Sequence, residues 1–146
     1  MKKLGVITAT VSTLLLSACT TVITTDEPVE KRDDLKHICL KESKNPRLKE
    51  FIPSMAKSLE KRGFTTEINI EKPAAHCKYM INYALNTRNS VVTRATVQMQ
   101  ELDGNDYDRI GEIVYKQRGD EEQAIVRQGG VQAQTDRIVK ELFKNY

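Results

Sequence analysis

Cys77-Lys78-Tyr79-Met80-Ile81-Asn82-Tyr83-Ala84-Leu85-Asn86 and, after a short polar break, Val91-Val92-Thr93-Arg94-Ala95-Thr96-Val97-Gln98-Met99-Gln100-Glu101-Leu102 are the stretches that decide the fold. Both alternate with a period of two, as strands do when one face is buried and the other wetted. In the first, Tyr79, Ile81, Tyr83 and Leu85 share one face, while Lys78, Met80, Asn82 and Ala84 take the other. In the second, the alternation puts Val91, Thr93, Ala95, Val97 and Met99 inward and Val92, Arg94, Thr96, Gln98 and Gln100 outward. Asn86-Thr87-Arg88-Asn89-Ser90 turns the chain between them. Asp103-Gly104-Asn105-Asp106 is a hairpin turn that feeds a third strand over 107–117, carrying Ile110, Ile113, Val114 and Tyr115. The three form a meander.

Upstream of the meander, 35–40 (Leu-Lys-His-Ile-Cys-Leu) reads as a short strand. Asn45-Pro46 then offers a cap and a first helical residue. Leu48, Phe51, Ile52, Met55 and Leu59 follow at helical spacing, with Pro53 predicting a kink or irregular first turn and Gly63 a stop. A strand over 64–70 and a turn over 71–76 lead into the meander. Residues 118–130, with Glu121, Glu122, Gly129 and Gly130, read as a mobile loop or the start of a short helix. Val131, Thr135, Ile138, Val139, Leu142 and Phe143 then mark an amphipathic C-terminal helix. The order β-α-β-β-β-β-α predicts an α+β two-layer sandwich. Its sheet would be mainly antiparallel, with both helices on one face.

The N-terminus carries an address. Lys2 and Lys3 precede an apolar run over 4–16 that is too short to span a membrane and reads as a secretory signal. It ends in Leu16-Ser17-Ala18-Cys19, which resembles the lipobox of bacterial lipoproteins. The resemblance implies a signal peptide over 1–18, cleavage before Cys19, and acylation of the Cys19 sulfur and of the new terminus. Several acyl chains suffice for stable anchoring. Thr20 stands where an Asp would signal inner-membrane retention, so the resemblance implies the outer membrane, facing the periplasm. Residues 19–34 then read as the lipidated terminus and a polar tether of roughly 20 Å, followed by one domain over 35–146.

Cys39 and Cys77 remain. An even pair in an oxidising compartment favours a disulfide, which would close a loop worth about 4 kcal/mol in the chain-entropy model. A second reading notes that both histidines sit beside these cysteines, in His37-Ile38-Cys39 and His76-Cys77, so that two His and two Cys would suit zinc or copper. On strands, however, His37 and Cys39 share a face, whereas the adjacent His76 and Cys77 point oppositely. The spacing fits no zinc-finger pattern, and the expectation is a disulfide with neither metal nor cofactor.

With 146 residues the chain suits a single domain. Its formal charge of +3 falls to +1 once Lys2 and Lys3 are removed, which gives no bulk electrostatic reason to bind nucleic acid. Phosphate-cradling loops, a G-x-S-x-G elbow and an H-E-x-x-H helix are all missing from the sequence. The acidic pairs Asp33/Asp34, Asp103/Asp106 and Glu121/Glu122 fall in polar stretches and read as solvated charge. The expected class is non-enzymatic. The outward row Arg94, Thr96, Gln98 and Gln100 is the candidate surface for a protein partner.

Taken together, the lipobox, polar tether, cysteine pair and element order look like the small α+β lipoproteins of Gram-negative envelopes. The resemblance implies a membrane-anchored binding or accessory subunit of an envelope assembly. An immunity or inhibitor lipoprotein that neutralises a periplasmic toxin or cell-wall hydrolase is the alternative.

Overall fold

The computed structural model describes residues 23–46, 49–69 and 75–146; the signal segment, Cys19 and Leu48 lie outside them. The elements in chain order are β1 (Ile23–Glu27), β2 (His37–Lys41), α1 (Phe51–Glu60), β3 (Thr65–Asn69), β4 (Tyr79–Arg88), β5 (Val91–Asp103), β6 (Asp106–Lys116) and α2 (Gly119–Leu142). The strands form one open sheet in the order β1-β6-β5-β4-β2-β3. The meander β4-β5-β6 and the added β1 are antiparallel, whereas β2 runs parallel to both its neighbours. The architecture is therefore the expected α+β two-layer sandwich, with a mixed sheet.

Both helices cover the face that carries Ile38, Leu40, Tyr79, Ile81, Val97, Met99, Ile113 and Tyr115, all buried. α1 contributes Phe51, Ile52, Met55 and Leu59 to this core, and α2 contributes Ile138, Val139 and Leu142. β2, between two parallel partners, buries Ile38, Cys39 and Leu40 in succession. Ile38 and Leu40 face the helices, whereas Cys39, on the opposite face, is buried as one half of the disulfide to Cys77.

The two hairpins close by different means. Gly104, with φ +64, takes the first central position of the β5–β6 turn, as a type II′ turn demands. Between β4 and β5, Asn89 (φ +51) and Ser90 (φ +63) are both left-handed, the type I′ geometry.

Five expectations are corrected. The tether over 19–34 is not one throughout: Ile23–Glu27 pairs with β6, and Val29 is 0% exposed. Gly111 makes room for it, because a Cβ there would lie 2.6 Å from Val29 Cγ2. The first helix starts at Phe51, not at Pro46, which leaves Pro53 in the first turn, where a missing N–H costs nothing and no kink is needed. Residues 119–129 are helical, and Gly130 (φ +57, ψ −147) breaks α2 in the middle.

Val92 faces the core (1% exposed) instead of solvent. The pairing steps from Asn86↔Arg94 to Thr87↔Val92, so Thr93 is an extra residue that shifts the alternation by one. Lastly, Glu122 is not solvated: it is 1% exposed.

Candidate functional site

The bulge at Thr93 leaves the rest of β5 in the expected phase. Ala95, Val97 and Met99 are buried, so Arg94, Thr96, Gln98 and Gln100 project from the opposite face, Arg94 exposed and the others half-buried. Their neighbours across β4 are Asn86, Ala84, Asn82 and Met80, and those across β6 are Lys116, Val114, Glu112 and Arg109. Among the described residues no helix covers this face. Part of it is already organised: Gln98 Nε2 donates to Glu112 Oε2 at 2.5 Å, and Arg109 bridges Glu112 (3.1 Å) and Glu27 (3.2 Å). That row joins β1, β6 and β5 in one hydrogen-bonded line.

Cys39 and Cys77 are joined as a disulfide, with S–S 2.04 Å and Cα–Cα 5.8 Å. With both sulfurs paired, the two-His, two-Cys metal set is not formed. The histidines meet all the same. His76 lies in a turn ahead of β4, so strand alternation does not govern it, and its ring centroid lies 6.4 Å from that of His37. Glu67, on β3, stands between them. His76 Nε2 is 2.8 Å and His37 Nε2 3.6 Å from Glu67 Oε2. The hydrogen bond from His76 is the main reason the Glu67 carboxyl is held below its ordinary range; burial opposes it, and the charges of both histidines assist. Glu67 has no sequence signal as a site residue, because only the parallel β2–β3 register, Cys39↔Glu67, brings it there.

A third cluster binds the segment after β1 to the strand ends. Arg32 pairs with Glu101 at 2.5 Å, Lys78 with Asp34 at 2.5 Å, and the Tyr79 hydroxyl donates to Asp34 at 2.9 Å. Lys78 and then Tyr79 lower the Asp34 carboxyl by hydrogen bonding. Burial, followed by that same bond to Asp34, raises the Tyr79 hydroxyl.

The buried Glu122 accepts a hydrogen bond from the Tyr115 hydroxyl at 2.5 Å and lies 3.3 Å from Arg137. Gln134 completes the group: its Nε2 donates to the Tyr115 oxygen (2.8 Å) and to Val92 O (2.7 Å), and its Oε1 accepts from Val92 N (3.1 Å). Burial, then the bond to Glu122, drives the Tyr115 pKa far upward, so this hydroxyl stays protonated. The group is enclosed and satisfies the backbone freed at the β5 bulge, a structural duty.

None of the described helices is long and apolar enough to cross a membrane. No protein-family model matches the chain, and no curated protein matches it. Among solved structures, a PelC dodecamer from Paraburkholderia phytofirmans, crystallised as a point variant, superposes with a TM-score of 0.47. The identity is 9%, over 82% of this chain and 96% of that one.

Proposed function

We propose that the protein is a non-enzymatic accessory lipoprotein of the bacterial envelope, anchored through Cys19 in the outer membrane and facing the periplasm. Its partner would be a protein docked on the outer sheet face at Arg94, Thr96, Gln98 and Gln100. The observation that carries this reading is the asymmetry of the sheet. One face is closed by two helices, whereas the other holds a long polar row with no helix over it among the described residues. The lipobox and the disulfide support an oxidising envelope compartment.

β1 changes the geometry of the anchor. Cys19 precedes Ile23 by four residues, which extend to at most about 14 Å. The β1 edge would therefore ride close to the lipid surface, with the β5 face two strands away.

A photo-crosslinking residue placed at Arg94 or Thr96 of the lipidated protein, in native envelopes, tests this. The expected result is one dominant protein adduct from both positions and none from Lys57 on the helix layer. Equal adducts from Lys57, or none from Arg94 and Thr96, would remove the proposed surface.

A further inference from the structure

We infer that His37, Glu67 and His76 form a binding site for a divalent ion of the zinc type, built over an intact disulfide. The three side chains come from β2, β3 and the turn before β4, and their donor atoms, with the Cys39 sulfur, all lie within 4.8 Å of one another. Donors around one tetrahedral zinc stand about 3.3 Å apart, given bonds of about 2.0–2.1 Å. The His76–Glu67 separation of 2.8 Å and the His37–Glu67 separation of 3.6 Å already bracket that value. All three side chains are at least one-third exposed, so the small readjustment, a widening at His76 and a closing at His37, needs no movement of the core.

Thr65 holds the His37 ring from its far side, through Nδ1. The Thr65 hydroxyl donates its proton to Lys36 O at 3.2 Å, so Thr65 Oγ1 is left as an acceptor toward His37 Nδ1 at 2.8 Å. With Nδ1–H held by Thr65, Nε2 is the nitrogen that faces Glu67 and is free to exchange its proton for a metal ion. A second hydrogen bond that fixes the orientation of a ligating histidine is the usual support of a metal site. The backbone is fixed as well. The disulfide welds Cys39, two residues from His37, to Cys77, next to His76. Because both sulfurs are spent, the ligand set is two imidazoles and a carboxylate, with the fourth position open to water.

The test is a Zn²⁺ titration of the full chain, oxidised at Cys39–Cys77 and with the Cys19 sulfur blocked so that no thiol competes. One ion per chain is expected, with affinity reduced at least about ten-fold in each of His37→Ala, His76→Ala and Glu67→Gln. Thr65→Val removes no ligand but frees the His37 ring, and is expected to cost about ten-fold. Co²⁺ in place of Zn²⁺ should give the visible absorption of a tetrahedral site, lost in His76→Ala. No uptake at millimolar Zn²⁺ would overturn the site, as would uptake unchanged in both histidine variants. Thermal melts of each variant, metal-free, separate lost ligation from lost folding.

Discussion

Val29 fills the space that Gly111 leaves open on β6: a Cβ on Gly111 would lie 2.6 Å from Val29 Cγ2 and 3.2 Å from both Glu27 O and Val29 N. Val29 N also donates to Leu142 O at 2.9 Å, so this residue closes the gap between the sheet and the end of α2. Gly111→Ala is expected to destabilise the protein by about 1–3 kcal/mol, the usual cost of overpacking. In a double-mutant cycle, Val29→Ala should relieve part of that penalty, because the two residues compete for one volume. Strict additivity in urea denaturation would mean that Val29 is not seated there.

The Tyr115–Glu122 pair is the most consequential buried polar contact. Tyr115→Phe would strip a partner from Glu122 Oε1 and from one Gln134 Nε2 proton. Leaving buried polar groups unpaired should cost about 2–3 kcal/mol. Unfolding midpoints of wild type and variant, compared in denaturant, read this directly.

Ser90 holds a left-handed backbone, φ +63, that glycine adopts without penalty. Ser90→Gly is therefore expected to stabilise the protein by about 0.5–1 kcal/mol, net of the greater freedom of glycine in the unfolded chain. A higher melting temperature with unchanged circular dichroism is the expected outcome; a lower one would contradict the turn geometry.

Asp136 carries a pH dependence whose sign is fixed. Burial pushes its carboxyl up, but hydrogen bonds from Lys61, Ser58 and Gln132 outweigh this and leave the pKa below the usual aspartate value. A carboxylate lowered on folding stabilises above the unfolded pKa of about 3.9, and that stabilisation is lost as pH falls through the lower folded-state value. Because the side chain is 39% exposed, solvent discounts the effect to about 1 kcal/mol. Asp136→Asn should cost about that much at pH 7 and progressively less below about pH 4, as followed by thermal melts across pH.

The disulfide spans 38 residues of sequence and ties β2 to the entry of β4. Reduction, or Cys39→Ser with Cys77→Ser, should lower stability by about 4 kcal/mol through loop-closure entropy. Denaturation with and without reductant measures it.

The amphipathic patterns were legible because they are local. A run such as Tyr79, Ile81, Tyr83 and Leu85 states its buried face through a period fixed by backbone geometry alone. The stripe Phe51, Ile52, Met55 and Leu59 did the same for α1, and the cysteine pair predicted its own bond. What local pattern could not carry was phase and partnership. Val92 turned inward because a bulge opposite Asn86 and Thr87 shifted the count, and a bulge exists only in a pairing.

Glu122 looked like any solvated acid, until Tyr115 and Arg137 were placed around it. Ile23–Glu27 looked like a tether, and became a strand only because β6 offers an edge and Gly111 a gap. His37, Glu67 and His76 converge for the same reason. Which faces are apolar, and which cysteines were available to pair, could be read from the order of residues alone. Which polar groups meet could not, because their neighbours are supplied by strand register between segments far apart in the chain.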